Sequence, residues 1–232
     1  MAKWVSGFND TLNELLAEFA RHAGETPERY VARAVAAQML ADQRATGGED
    51  GTLFECLRAN ALPASALPDV TAAITDPDRL RAVYATGLLD SPPEEMYDRI
   101  TRAAADALQA PFSLISVIDV DRLYLKSEIG VVGHAVEEKQ APLERSLCQY
   151  AVANGTPLVL ADARLDPTFK NHPVVREGSV VAYLGIPLLD HDRNAVGALC
   201  VYDTKPRLWA TGHIQILSDL AKLTADRIFG DE

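Results

Sequence analysis

Apolar residues recur at helical spacing in two short segments near the start of the chain. In residues 10–22, three leucines and Phe19 fall on one face of a helix, and charged side chains occupy the other face. A second pattern of this kind begins at Pro27, a residue type favoured in the first turn of helices. It fades in the glycine- and charge-rich residues 44–51, which indicate a boundary. We therefore predict two amphipathic helices that form a small unit of their own.

From residue 76 onward, the pattern changes to helices interspersed with strands. Two helices separated at Gly87 come first, and Ser91 with Glu94 matches the S-x-x-E capping box that would begin the second of them. Further helices are predicted at residues 146–155 and 214–228, and strands at residues 112–120, 123–129, 158–160, 180–188 and 195–202.

Two long connections lie between the predicted strands, at residues 130–144 and 163–179. Runs of strands with helices at both ends favour a mixed sheet with helices on one face over a doubly wound parallel sheet. Long loops in a compact domain commonly cover a functional site. The sequence therefore predicts an α+β fold whose site lies beneath these two loops.

The acidic composition narrows the classes of partner. The chain has 232 residues, 48% of them hydrophobic, and a formal net charge of −11 at pH 7. This length is sufficient for one ordinary domain and a smaller unit. Nucleic acids and anionic membranes attract clustered cations, so the charge disfavours both as partners of the whole molecule. The sequence contains neither a secretory signal nor a run of about 18 apolar residues, so we expect a cytoplasmic protein without a membrane segment.

The three cysteines and five histidines show no metal-binding spacing. An odd number of cysteines, in segments that are predicted helices and strands, favours a reducing compartment over a disulfide framework. We therefore predict no metal site and no structural disulfide.

The first 45 residues resemble the ribbon-helix-helix fold. The segment KWVSGF at residues 3–8 takes the place of a strand that pairs with a second copy, and the two predicted helices follow it. The resemblance implies an obligate homodimer whose paired strands contact the major groove of DNA. Residues 1–45, however, contain five Lys or Arg against six Asp or Glu. This balance favours a dimerisation or docking unit, and DNA binding stays open as an alternative.

Five motifs in the rest of the chain occur in the order found in the GAF family. They are LDSPPEE at 89–95, SLCQYAV at 146–152, DARLDPTF at 162–169, GIPL at 185–188 and VGALCVYD at 196–203. Residues 76–230 thus resemble a GAF domain, a small-molecule sensor or interaction fold. The resemblance implies a six-stranded antiparallel sheet, a ligand pocket between the sheet and the long loops, and dimerisation through terminal helices. We therefore predict a helical unit at 1–45, a linker at 46–75 and a GAF domain at 76–230.

The resemblance also implies which residues surround the ligand. Members of the family bind cyclic nucleotides, bilins, haem and other small molecules, so neither ligand nor cofactor is identified. The N-K…F…D-E pattern of the cyclic-nucleotide-binding members is missing from this chain, which disfavours such a ligand. Asp162 has an alternative as a turn residue, and the aromatic candidates have one as core residues. The candidate ligand-binding residues are Tyr124, Lys126, Cys148, Asp162, Phe169 and Tyr183.

Cysteine and basic residues near the predicted pocket allow other chemistry. Cys148 has no neighbouring His or Cys, which favours a small buried side chain over bilin attachment or a redox role. His134 or His172 is an alternative as an axial haem ligand. One loop also carries four basic residues, which suit an anionic ligand or, more commonly, a solvated face: Arg164, Lys170, His172 and Arg176.

The predicted function is that of a non-enzymatic regulator. No G-x-S-x-G, phosphate-binding glycine loop or H-E-x-x-H motif is present, and the chain ends one helix after the last GAF-like motif, at 196–203. We therefore expect a cytoplasmic signalling protein whose GAF domain binds a small effector and transmits the binding through a homodimer. The first alternative is a ribbon-helix-helix transcriptional regulator with a GAF effector domain. The second alternative is a ligand-independent protein-interaction module.

Overall fold

The computed structural model describes residues 5, 8–22, 26–45, 66–131 and 138–230. These residues form two compact units. The first consists of residues up to 66 together with residues 164–170, and the second of residues 67–163 and 171–230. Most of the residues at 46–75, the predicted linker, lie outside the described part of the chain.

The first unit contains the two helices that the apolar pattern predicts. Helix α1 spans Asp10–His22 and helix α2 spans Pro27–Ala45. The side chain of Asn9 caps the start of α1 by accepting a hydrogen bond from the Leu12 amide at 2.9 Å. The ribbon predicted at residues 3–8 lies outside the described residues except for Val5 and Phe8. The ribbon-helix-helix resemblance therefore stays a prediction.

The second unit carries the sheet and the remaining helices. Its helices are α3 (Thr71–Ile74), α4 (Pro77–Ala85), α5 (Glu95–Leu108), α6 (Cys148–Asn154), α7 (Pro173–Arg176) and α8 (Thr211–Phe229). Its strands are β1 (Phe112–Ile118), β2 (Arg122–Ile129), β3 (Gln140–Pro142), β4 (Leu158–Leu160), β5 (Ala182–Leu189) and β6 (Ala195–Asp203). A 3₁₀ turn, Leu143–Arg145, connects β3 to α6.

The six strands form one antiparallel sheet in the order β3-β2-β1-β6-β5-β4. This arrangement confirms the α+β class and the sheet that the GAF resemblance implies, and it corrects the mixed sheet expected from the pattern alone. Strand β3 lies inside the connection at 130–144, which the pattern predicts as a loop. Three residues are too few for an alternating pattern to identify a strand.

The two faces of the sheet are covered by different helices. Alternate side chains of the central strands, among them Ile115 and Leu184, pack with residues of α5 and α8 such as Leu108 and Leu217 in a continuous core. Helix α6 packs against β5 and β6 on the opposite face, which the prediction of helices on one face did not include.

The capping box predicted at Ser91 is wrong. Helix α5 begins at Glu95, and the hydroxyl of Ser91 donates to the Leu88 carbonyl at 2.7 Å and accepts from Lys126 Nζ at 2.6 Å. The Glu94 carboxylate lies 2.7 Å from the same Nζ. A buried ammonium group is costly without partners, and these side chains satisfy it instead of the helix end.

Candidate functional site

A cavity of about 400 Å³ lies on the sheet face opposite α5 and α8. Strands β1, β2, β5 and β6 form its floor, and the 3₁₀ turn, α6 and α7 contribute the other walls. Its described lining consists of Phe112, Leu114, Leu123, Leu125, Val131, Ala141, Arg145, Ser146, Leu147, Cys148, Val174, Ser179, Val180, Tyr183, Cys200, Tyr202 and Thr204. The cavity occupies the position that the GAF resemblance implies.

Most of the cavity wall is hydrocarbon and aromatic. Leucines from β1 and β2 face valines from α7 and the segment before β5. The rings of Phe112 and Tyr202 stack with their centroids 4.6 Å apart. Such a wall favours a ligand with an apolar body, because removing apolar surface from water stabilises the complex.

Arg145 is the charged residue in the described part of the wall. Its guanidinium donates to both carboxylate oxygens of Glu177, at 2.8 and 2.6 Å. This hydrogen bonding raises the pKa of Arg145 and lowers the pKa of Glu177. The cation is therefore already neutralised by a bidentate partner, and an anionic ligand would have to compete with Glu177 for it.

The Ser146 hydroxyl offers a hydrogen bond to a ligand. Its oxygen is buried in the wall near Cys148, whose pKa it helps to lower, and none of the described residues holds it in a well-formed hydrogen bond. Buried polar groups are generally hydrogen-bonded, so an unsatisfied one beside a cavity is where a ligand group or a water would be held.

His172 is also buried, with no partner for either ring nitrogen among the described residues. Its ring lies edge-on to Tyr150, with centroids 5.9 Å apart. Burial and the nearby charge of Arg145 lower the pKa of His172 to about 4, so the imidazole is neutral at pH 7. His172 does not line the cavity, and His134 lies outside the described residues. The haem alternative thus gains no support.

Two thiols and a phenol form a polar cluster in the cavity wall. The Sγ atoms of Cys148 and Cys200 are 3.8 Å apart, and the Tyr183 hydroxyl donates to Cys148 Sγ at 3.2 Å. Hydrogen bonding from Cys200 lowers the pKa of Cys148 to about 7 against the effect of burial. Burial raises the pKa of Cys200. Cys148 is therefore the thiol that ionises first.

The sequence does not predict this pair, because the two cysteines are 52 residues apart. Cys148 opens α6, whereas Cys200 lies in β6 opposite Leu114 of β1 and Gly185 of β5. The alternation of β6 would have placed Cys200 on the cavity face, but only with the register and the position of α6 known.

The structure brings only two of the six predicted ligand-binding residues to the cavity. Cys148 and Tyr183 line it. The placement of Tyr124 and Lys126 beside it is wrong, because strand alternation directs both side chains to the α5 face. There the Tyr124 hydroxyl donates to the Ser91 carbonyl at 2.8 Å, and Lys126 Nζ donates to Ser91 Oγ and the Pro92 carbonyl.

The other two predicted residues, Asp162 and Phe169, are also not among the described lining residues. The Asp166 carboxylate, between them in sequence, accepts hydrogen bonds from the amides of Thr168 and Phe169. This turn gives the DARLDPTF motif a local structural explanation. None of the four basic residues of the predicted cationic loop lines the cavity, so the structure does not assemble an anion site from them there.

Neither a metal-ligand cluster nor a membrane-spanning helix occurs among the described residues. No three His, Cys, Asp or Glu side chains in that part of the chain are grouped so that they could hold a metal ion. None of its helices combines the length and the apolar character that crossing a membrane requires.

Comparison with known proteins found one similar protein of named activity, cyclic di-GMP phosphodiesterase from Pseudomonas aeruginosa. The two chains are 34% identical over 144 residues, which cover 61% of this chain and 24% of that protein. The chain thus spans about a quarter of the length of this relative.

Among solved structures, the GAF domain of an Acinetobacter phosphoenolpyruvate-protein phosphotransferase is similar, with 19% identity and a TM-score of 0.49. The match covers 65% of this chain and 90% of that one. The type II free methionine-R-sulfoxide reductase of Thermoplasma acidophilum, at 14% identity and a TM-score of 0.48, covers 63% of this chain and 94% of its own.

The Pseudomonas relative overturns one prediction. The lack of catalytic motifs predicts a protein that is not an enzyme, and this prediction is wrong, because the similar chain is named a phosphodiesterase. Local motifs detect only catalytic groups that are close in sequence, whereas active sites also assemble residues from distant segments.

The family assignment rests on both the fold and the sequence. The described sheet has six antiparallel strands flanked by helices, with the cavity on one face. The model of the family described as GAF domain matches residues 92–228, which is more than half of the chain. The chain therefore belongs to the GAF domain family.

Proposed function

We propose that the GAF domain of this chain is a sensor for a small, largely apolar molecule bound in the cavity. The observation that carries the proposal is the cavity itself, whose volume of about 400 Å³ lies in the range of small-molecule sites. Its apolar walls and few polar groups match the composition of such sites.

The polar groups of the wall limit the chemistry of the ligand. The Ser146 hydroxyl can hold one hydrogen-bonding group of the ligand, and the stacked rings of Phe112 and Tyr202 suit a flat apolar body. A cyclic dinucleotide carries two phosphates, which need cations, and Arg145 is paired with Glu177. We therefore propose a neutral ligand and not a cyclic dinucleotide.

We propose that the output of this sensor is a change in cyclic di-GMP turnover. The support is the name of the Pseudomonas relative, of which the matched region is about a quarter. A sensor of this kind works only if the ligand has different affinities for two arrangements of the protein. The sheet lies between α6, at the cavity, and α5 and α8 on its other face. We propose that the change in arrangement passes from the cavity to these two helices through the sheet.

We further propose that the protein acts in the cytoplasm as a homodimer. Free, buried thiols at Cys148 and Cys200 fit a reducing compartment. Helix α1 exposes an apolar stripe of Leu12, Leu15 and Phe19, and a second copy is the partner we propose for it. DNA binding by the helices remains an alternative that the acidic charge disfavours.

The ligand proposal is tested by filling the cavity. Ala141 lines it from the edge strand β3, and Val159 lies on the opposite edge strand away from it. We expect the purified chain to bind the neutral fluorophore N-phenyl-1-naphthylamine saturably, and Ala141→Phe to weaken that binding at least about tenfold. Val159→Phe should leave it unchanged. Equal binding by all three proteins would contradict the proposal and favour the ligand-independent interaction module.

The output is tested separately in cells that produce the full-length protein. We expect cellular cyclic di-GMP, measured by mass spectrometry, to differ between the wild type and Ala141→Phe but not between the wild type and Val159→Phe. If the fluorophore experiment succeeds and cyclic di-GMP does not change, the ligand site stands and the proposed output is wrong.

A further inference from the structure

The two cavity cysteines are placed as a reactive pair. Cys148 is 4% exposed and Cys200 1% exposed, and both line the cavity from opposite walls, α6 and β6. Their Sγ atoms are 3.8 Å apart and both thiols are free. Two thiols at this separation, with a cavity beside them, are accessible only to a molecule that enters the cavity.

We propose that Cys148 and Cys200 are a dithiol that is oxidised by an apolar hydroperoxide entering the cavity. The Cys148 thiolate attacks the terminal oxygen of the hydroperoxide, so that an S–O bond forms and the O–O bond breaks. The alkoxide that leaves takes up one proton, which balances the proton that the Cys148 thiol lost on ionising, and departs as the alcohol. The Cys200 thiol then attacks the sulfenic sulfur, so that the S–S bond forms, the S–O bond breaks and water leaves. One hydroperoxide is reduced by two electrons for each disulfide formed.

The groups around the two thiols indicate which cysteine attacks the hydroperoxide and which one forms the disulfide. Tyr183 donates its hydroxyl proton to Cys148 Sγ at 3.2 Å, and hydrogen bonds of this kind stabilise a thiolate. The hydrogen bond from Cys200 lowers the pKa of Cys148 to about 7, while burial raises the pKa of Cys200. Cys148 is thus the attacking thiol, and Cys200 is the thiol that resolves the sulfenic acid.

The walls favour an organic substituent on the hydroperoxide. Leu114, Leu123 and Val180 line the cavity together with the two cysteines, and the guanidinium of Arg145 is hydrogen-bonded to Glu177. An apolar substituent gains from leaving water in such a cavity, whereas hydrogen peroxide has no apolar surface to bury.

Disulfide formation would also change the cavity. A disulfide has an S–S length of about 2.05 Å, so the sulfur atoms must approach by about 1.8 Å from their present 3.8 Å. Cys148 is the first residue of α6, and Cys200 is held in the centre of the sheet between β1 and β5. Because both side chains line the cavity, their joining changes the cavity wall.

The test uses the full chain with Cys56→Ser, which removes the third thiol from the measurement. The reduced protein is treated with cumene hydroperoxide or, in a parallel arm, hydrogen peroxide, and is then denatured and alkylated with N-ethylmaleimide. We expect the loss of two hydrogens, no alkylation, and a peptide that links Cys148 to Cys200. Cumene hydroperoxide should react at least about tenfold faster than hydrogen peroxide.

Two variants separate the roles. Adding Cys200→Ser should stop the reaction at a sulfenic acid on Cys148, trapped with dimedone, and Cys148→Ser should abolish it. Should either variant misfold, the position of the dimedone adduct in a time course on the Cys56→Ser protein gives the same assignment. Two alkylated thiols after peroxide treatment would overturn the proposal. A dimedone adduct on Cys200 would show that Cys200 attacks and Cys148 resolves. A faster reaction with hydrogen peroxide would show that the site does not prefer an apolar substituent.

This inference uses the cavity of the proposed sensor but does not need its ligand. If the pair is oxidised but the naphthylamine does not bind, the dithiol proposal is supported and the sensor proposal is wrong. If the naphthylamine binds but the pair is not oxidised, the sensor proposal is supported and the dithiol proposal is wrong.

Discussion

The buried ammonium group of Lys126 gives the motif LDSPPEE a role different from the capping box predicted from its sequence. Its side chain is fully buried, and Nζ contacts Ser91 Oγ, the Pro92 carbonyl and the Glu94 carboxylate. The motif LDSPPEE, at residues 89–95, thus holds the start of α5 against β2 through its hydrogen bonds and ion pair with Lys126. One face of β2 packs on α5, and the other lines the cavity. A shift of one position along the strand therefore decides whether a side chain packs against the helix or lines the cavity.

His172 is a second residue whose surroundings determine its chemistry, and it makes stability depend on pH. Its pKa is lowered from about 6.5 to about 4, mainly by burial, so between these values the unfolded chain binds a proton that the native chain does not. Stability therefore falls as pH falls from 6.5 to 4, by up to about 3 kcal/mol. Arg145 lowers this pKa further, and Glu177 opposes the shift.

We expect His172→Phe to remove this pH dependence. Phe fills similar space, and neither ring nitrogen of His172 has a partner to lose among the described residues. Urea denaturation at pH 7 and pH 4.5 should give a smaller difference in unfolding free energy for the variant than for the wild type. The exposed His191 provides the control, since His191→Gln should keep the wild-type difference. The same difference in all three proteins would show that His172 is not the source.

At the scale of elements, β1 and β6 approach each other closely at Gly197. A Cβ atom at Gly197 would overlap with the carbonyl oxygen of Ser116 on the neighbouring strand. The glycine of the VGALCVYD motif is therefore required by the packing of two central strands, and not by a special backbone conformation. The motif also carries Cys200, so the glycine and the dithiol depend on the same strand register.

We expect Gly197→Ala to destabilise the domain by about 2 kcal/mol or more, because two backbones must separate to admit the methyl group. Gly212, in the first turn of α8, provides a matched glycine with open space around its would-be Cβ. Gly212→Ala should be neutral or stabilising by up to about 1 kcal/mol. Urea denaturation of both variants measures the contrast. Equal stability of the two would contradict the close approach.

At the scale of the whole molecule, oligomeric state is the property on which the proposed signal depends. Phe19 is 58% exposed on α1, beside Leu12 and Leu15. If a second copy covers this stripe, Phe19→Glu places a charge in an apolar interface and should weaken dimerisation at least about tenfold. Light scattering across a concentration series measures the effect.

The control for the dimer is Leu208→Glu, a substitution at a side chain that is 84% exposed outside α1. It should leave the dimer intact, which separates the effect of position from that of added charge. A chain that is monomeric before any substitution, or a Phe19→Glu dimer of unchanged affinity, would rule out this surface as the interface.

Local patterns in the sequence predict most elements of the second unit, and its motifs predict the family. Helical spacing predicts α5 and α8, and β-branched runs predict the central strands, because these patterns depend on residues that are near neighbours in the chain. Five short motifs in one order predict the sheet and the place of its cavity. The family model confirms that assignment over residues 92–228.

The fold of the whole domain sets which side chains meet. It directs Tyr124 and Lys126 away from the cavity, uses Ser91 to bind an ammonium group, and brings Cys148 to within 3.8 Å of Cys200. The physical reason is that a strand alternates its faces residue by residue, while its register and the helix opposite are fixed by packing across the whole domain. Residues far apart in the chain become a chemical pair only once that packing exists.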